Sequence, residues 1–254
     1  MARVSRWVVV VLCGVLLSVT AAPSTAQTAT EAPSDILNEY RITAYPSYPL
    51  GNDWLAIGYV GWVYKPDASY TSYYLASGGY YQPTPNFQFW SALILVYTDM
   101  WTASNTLELR PFVGVKFMGA TSGKVRYYNW TRYEFRETKN LDTGAWTDVR
   151  RIRNQSRIDV PLASVEKAWT PKTWYAFTDI EPIWRSDTGQ IDPLRWRVGV
   201  GYITPRVLIE FQYYHQWTRP GGGDLTYTDN IIRLNFKILT KKGILSVLEA
   251  GDLD

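Results

Sequence analysis

The 254-residue chain contains one cysteine, one histidine and three methionines. The cysteine, Cys13, sits in an N-terminal segment with the layout of a secretory leader. Arg3 and Arg6 flank a short basic start, "WVVVVLCGVLLSV" is an apolar run too short to span a bilayer, and "APSTAQ" supplies small residues for cleavage before Gln27. Leu12 precedes Cys13 where a lipoprotein signal needs a small residue, so lipid attachment at Cys13 is rejected. Loss of residues 1–26 leaves no cysteine, hence no disulfide framework, no thiol nucleophile and no thiolate for a metal. No metal-ligand spacing occurs elsewhere, and no cofactor motif is found. "RPGGGD" at 219–224 lacks the lysine and following helix of a phosphate loop and reads as a hairpin tip.

Charge of one sign is also missing. Without the leader, 24 basic residues face 23 acidic ones, which excludes a general electrostatic case for nucleic acid. After the leader there is no apolar run of helical spanning length and no convincing amphipathic helix. Any insertion into a membrane would therefore need a closed barrel.

What is present is period-2 alternation. In "VRYYNWTRYEFRE" one set of alternate residues is Arg126, Tyr128, Trp130, Arg132, Glu134 and Arg136; the other is Val125, Tyr127, Asn129, Thr131, Tyr133 and Phe135. The first set carries four charges and the second none, the pattern of a strand with two unlike faces. Ten such segments are predicted at 54–64, 70–81, 86–98, 104–117, 123–137, 146–160, 172–185, 193–204, 206–217 and 227–239. Hairpin-sized separators rich in Pro, Gly, Asn and Asp join them. The expectation is an all-β, antiparallel up-and-down transmembrane β-barrel of about ten strands, or twelve if 36–48 contributes. Residues 1–26 are assigned to the leader, 27–53 to an N-terminal periplasmic leader segment, 54–240 to the barrel and 241–254 to a tail. An even strand number puts both termini on one side, with "KPDAS", "TKNLDTGA" and "RPGGGD" on the other.

The faces suggest which way the barrel is turned. One face collects Glu108, Arg110, Arg126, Arg132, Glu134, Arg136, Arg153, Arg157, Asp159, Asp179, Glu181, Arg195, Arg197, Glu210 and Arg233; the opposite face reads Leu107, Val113, Phe117, Ile152, Val198, Phe211 and Ile232. Acids and arginines alternate within the polar set, which suits pairing in an enclosed space. Aromatic residues Trp174, Trp184, Tyr202, Tyr213 and Trp217 end the apolar face like two girdles. The charges are therefore expected inside, as a lumen network, with outer-membrane lipid outside.

The segments "TLELRPFVGVKF", "YNWTRYEFRE", "RIRNQSRIDVPL", "KTWYAFTDIEPIWR", "DPLRWRVGVGYI", "RVLIEFQYYHQWTRP" and "YTDNIIRLNFKI" resemble the domain-of-unknown-function 2490 family over about Trp54 to Leu239. The resemblance implies a secreted bacterial protein forming an outer-membrane barrel, inserted by the barrel-assembly machinery. It implies no activity and no catalytic residues. Many such barrels end in an aromatic at the last strand's final position; here Phe236 and Ile238 are followed by "TKKGILSVLEAGDLD".

Three functional readings follow. The first is a non-enzymatic envelope protein with a charge-networked lumen. The second is a small anion-preferring pore, in which the arginines select a small anionic solute. The third is an outer-membrane hydrolase using His215, with Thr226 and Thr228 as the nearest hydroxyls and Asp229 as the nearest acid. Against the third, "YYHQW" reads more simply as a girdle histidine. Glu134, Asp179 and Glu181 read more simply as ion-pair partners than as an acid/base set. The glycosylation-like triplets at Asn129 and Asn154 fall within predicted strands and are discounted.

Overall fold

The computed structural model describes residues 36–51, 53–122 and 124–239; the expected leader and the whole 241–254 tail lie outside the described residues. Eleven strands close into one barrel. They are β1 (Leu37–Pro49), β2 (Trp54–Lys65), β3 (Tyr70–Thr84), β4 (Phe87–Met100), β5 (Thr106–Ala120), β6 (Arg126–Asn140), β7 (Trp146–Pro161), β8 (Thr173–Arg185), β9 (Ile191–Ile203), β10 (Val207–Thr218) and β11 (Thr226–Leu239). The ten predicted strands all occur, as β2 to β11, with ends shifted by a few residues.

The eleventh is β1, which corrects the assignment of residues 27–53 to a leader. It pairs antiparallel with β2 and parallel with β11, and so closes the sheet. An odd strand number makes the first and last strands run the same way. The start of β1 and the end of β11 therefore lie at opposite mouths, against the expectation of both termini on one side. The β2–β3, β4–β5, β6–β7, β8–β9 and β10–β11 connections share one mouth with the start of β1. The remaining connections share the other mouth with the end of β11.

β1 carries two prolines, and proline cannot donate to a ladder. Pairing with β2 runs from Tyr40↔Tyr64 to Ala44↔Val60, then resumes at Ser47↔Ile57, so Tyr45 and Pro46 sit in the gap. Gly58 lies opposite; a Cβ there would stand 3.1 Å from the Pro46 ring. Pro111 makes a similar gap between β5 and β6, whose register passes from Leu109↔Glu137 to Phe112↔Glu134.

Closure sorts the two faces by burial. Val113, Phe117, Ile152 and Phe211 are 42–56 % exposed, whereas Arg132, Glu134, Arg153, Arg197, Glu210 and Arg233 are at most 2 % exposed. The outer wall has aromatic pairs near each mouth: Trp54 with Tyr81 and Trp174 with Tyr202 at one, Trp62 with Tyr64 and Trp217 with Tyr227 at the other. It also carries one polar patch. Asn129 donates to Ser156 Oγ (2.9 Å) and to Asn154 Oδ1 (3.1 Å), and Asn154 donates to Thr131 Oγ1 (2.7 Å), so the group satisfies itself.

The interior has two unlike walls. β2 to β4 line it with Leu55, Ile57, Tyr59, Tyr80, Trp90 and Ile94, which pack against Phe112 and Trp130. The other strands, β1 included, supply most of the interior charge.

Candidate functional site

Among the described residues, eleven cationic and nine acidic side chains are buried. They form ion-pair groups along the barrel. Glu134 is the anion of the central group. Its Oε1 lies 2.7 Å from Arg132 and 3.2 Å from Arg153, and its Oε2 accepts from Arg151. Arg153 spans to Glu181 at 2.7 Å, and Glu181 lies 3.6 Å from Arg195 and 3.7 Å from Arg197. Arg197 also donates to Asp179 at 2.5 Å. The cross-strand register explains the order: Arg153 faces Arg132, and Asp179 and Glu181 face Arg197 and Arg195. Such burial is tolerable because Glu134, Glu181 and Asp179 each have an arginine at hydrogen-bond distance, and Arg195 adds a hydrogen bond to Gln216 at 2.7 Å.

Nearer the mouth that holds the end of β11, Arg157 donates to Asp159 and to Glu210, both at 2.6 Å, and lies 3.7 Å over the Phe177 ring. Glu210 also accepts from Tyr175 Oη at 2.6 Å and lies 3.2 Å from Lys237. Nearer the opposite mouth, Glu108 joins Arg110 (2.6 Å) to Arg136 (Nε at 2.8 Å). Arg233 donates to Tyr214 Oη (2.8 Å) and Thr43 Oγ1 (3.2 Å). Arg126 is half-buried at the first of these mouths. In the connection after β8, the Arg185 guanidinium holds the Asp187 carboxyl below its usual range through a hydrogen bond.

All fifteen charged residues singled out in the sequence lie on the inward face, and Glu108, Glu134, Asp159, Asp179, Glu181 and Glu210 each meet an arginine of that set. Sequence reasoning missed Glu39 and Arg41, which pair on β1, and Lys65, which pairs with Asp229. It also missed Tyr175, whereas Tyr214 shares the inward parity of Glu210 and Gln212. Glu39-x-Arg41-x-Thr43 does alternate, and that was the available signal for β1.

His215 stands on the outer wall within an aromatic group. Its ring stacks on Trp196 (5.3 Å between centroids, 16° between planes) and meets Tyr213 edge-on at 4.9 Å. Its Nδ1 lies 3.1 Å from Tyr227 Oη. The hydroxyl it meets is thus a phenol rather than Thr226 or Thr228, and Asp229 is buried in the interior with Lys65. No nucleophile, base and acid are lined up there. Among the described residues no group of three His, Cys, Asp or Glu side chains could hold a metal ion.

The match to known proteins agrees with the strand pattern. The profile of the family described as "Protein of unknown function (DUF2490)" covers residues 38–226. The chain belongs to the DUF2490 family. The match starts inside β1 and reaches the start of β11, so the DUF2490 segment takes in the closing strand, ahead of the Trp54 start of the resemblance seen in sequence. No curated protein and no solved structure matches the chain significantly. DUF2490 membership carries no activity with it, so function has to be argued from the interior and the wall.

Proposed function

We propose that this DUF2490 protein is an integral outer-membrane barrel whose role is not enzymatic and whose lumen is held shut by its own charge network. One observation carries the reading: the barrel is apolar outside and charged inside. In water that order would expose Val113, Phe117, Ile152 and Phe211 while burying twenty charged side chains, the reverse of what burial energetics favour. In a bilayer the outer face gains lipid contact and the aromatic pairs near the two mouths lie at interface depth. The self-bonded Asn129–Asn154 patch lowers the cost of polar groups in such a wall.

The lumen is filled rather than open. Trp130, Arg132, Arg197, Arg233, Tyr45, Tyr59 and Tyr214 are among the largest fully buried side chains. The surplus of buried cations over acids favours a second reading, a small anion-preferring pore, which would need those side chains to part. The catalytic role for His215 has no support in its surroundings and is not proposed.

Cell fractionation with gel mobility before and after heating tests the first reading. A barrel in lipid sediments with the outer membrane, resists alkaline extraction and runs faster unheated. Recovery in the soluble periplasmic fraction would sink it. Steps of anion-selective conductance from the purified barrel in planar bilayers would favour the pore.

A further inference from the structure

The β7–β8 connection, residues 162–172, is the longest in the barrel. Most of it is exposed, yet Ala168 and Trp169 are buried. Trp169 adopts φ 63° and Lys172 φ 69°. That left-handed region is unfavourable for bulky residues and persists only when surrounding contacts hold it. The backbone bonds within the segment are local turns, Lys167 N–H to Ser164 O at 3.0 Å and Thr170 N–H to Lys167 O at 3.3 Å.

The Trp169 ring reaches away from its own hairpin. Its Nε1–H donates to the Lys124 carbonyl at 2.7 Å, in the β5–β6 connection. The Arg126 guanidinium lies 4.1 Å over the ring, and the ring centroid is 5.3 Å from that of Tyr175. Tyr175, Phe177, Ile203 and Leu208 complete an apolar nest with Ala168 and Trp169. The ring thus joins β6 and β8, the strands on either side of β7, across one mouth. It stands above the level of Arg157, Asp159 and Glu210. Gly201 makes the nest possible: a Cβ there would fall 2.1 Å from the Tyr175 ring. A recess of about 200 Å³ opens beside it, bounded by Asn86, Met118, Arg126, Tyr128 and Asp159.

We propose that residues 162–172 form a releasable strap over this mouth, and that Trp169 is the in-chain occupant of a site for a flat aromatic ligand bearing an N–H donor. The site presents a carbonyl acceptor at Lys124, a guanidinium face at Arg126 and an apolar floor, the complement of an indole-like ring. When the ring leaves, the left-handed conformation at Trp169 relaxes, which offsets part of the lost contact, while the Lys172 N–H keeps its bond to the Ile203 carbonyl (2.7 Å). The same geometry holds whether lipid or water surrounds the wall, so this inference stands apart from the membrane reading.

The test uses the full-length chain carrying Cys13→Ser and Leu208→Cys, folded in detergent, with a water-soluble maleimide as probe. Leu208 is 1 % exposed beneath the strap. Adding Trp169→Ala is expected to speed labelling about tenfold or more, since exchange then follows local opening. Millimolar indole is expected to restore protection, and N-methylindole, which cannot donate to Lys124, to restore less. Heat-dependent gel mobility reports that each variant is folded. Should Trp169→Ala fail to fold, Trp169→Phe keeps a ring, loses the donor, and is expected to label at an intermediate rate. Labelling unchanged by either variant would overturn the strap. Faster labelling that indole leaves untouched would overturn the aromatic site.

Discussion

Arginine at position 198 tests the inside-out order of the wall directly. Val198 faces outward near the middle of β9, between Tyr213 of β10 and Thr178 of β8. On a water-facing sheet, a long cation here would change stability by no more than about 0.5 kcal/mol. In hydrocarbon it costs about 2–4 kcal/mol near the midplane. With a urea slope of about 2 kcal/mol/M, that lowers the unfolding midpoint by about 1–2 M. The assay is urea titration of the barrel folded into phospholipid vesicles, with Val198→Leu as the steric control. Arg197→Leu, one residue away, is the matched interior change. It removes the cation at 2.5 Å from Asp179 and leaves that carboxylate in the interior, at about 3–5 kcal/mol. The interior change is expected to cost this whatever lies outside, whereas Val198→Arg is costly only if lipid does. A Val198→Arg midpoint within about 0.2 M of wild type in vesicles would refute the membrane reading. A neutral Arg197→Leu would refute the interior network.

Glu134→Gln removes the shared anion of Arg132, Arg151 and Arg153 and is expected to cost about 3–5 kcal/mol in a thermal or urea melt; an unchanged midpoint would show that the arginines repartner freely. Cysteines placed at Gly222 and Glu166 lie at opposite mouths, so a membrane-impermeant maleimide on intact cells is expected to label one of the two and not the other; labelling of both at equal rates would refute a barrel that spans the membrane. Deleting residues 37–49 leaves β2 and β11 with unpaired edges, and heat-dependent gel mobility is expected to vanish; its survival would mean that ten strands close by themselves. Asp187, with its carboxyl depressed by Arg185, contributes stability above the unfolded carboxylate's pKa of about 4 that is lost as pH falls through the folded value. Asp187→Asn is therefore expected to melt slightly lower than wild type at neutral pH, with the deficit shrinking as pH falls below about 4, and a deficit that does not shrink in acid would remove Arg185 as its cause.

Ten of the eleven strands and their order could be read from residue alternation and turn signals, and the inward and outward faces of the seven from β5 to β11 from alternation. A strand presents only two faces, so a run such as Arg151, Arg153, Arg157 and Asp159 against Ile152, Ile158 and Val160 states its own parity. Hairpin connections leave little freedom of order, and DUF2490 membership was legible from the order and spacing of those runs. Three things waited for the tertiary structure. Strand β1 stood in the sequence only as the open alternative that 36–48 contributes; neighbours on both sides and the close approach allowed by Gly58 let a strand with Pro46 and Pro49 form. Its parallel pairing with β11 is a contact between residues about 190 positions apart, and no local pattern encodes it. Nor does any local pattern carry Trp169 to the Lys124 carbonyl: a tryptophan in a polar connection is ordinary in sequence, and its burial depends on the gap that Gly201 leaves for Tyr175 three strands away from the β5–β6 turn. Alternation is a property of each strand by itself, whereas closure, ion-pair partners and the covered mouth depend on which strands become neighbours.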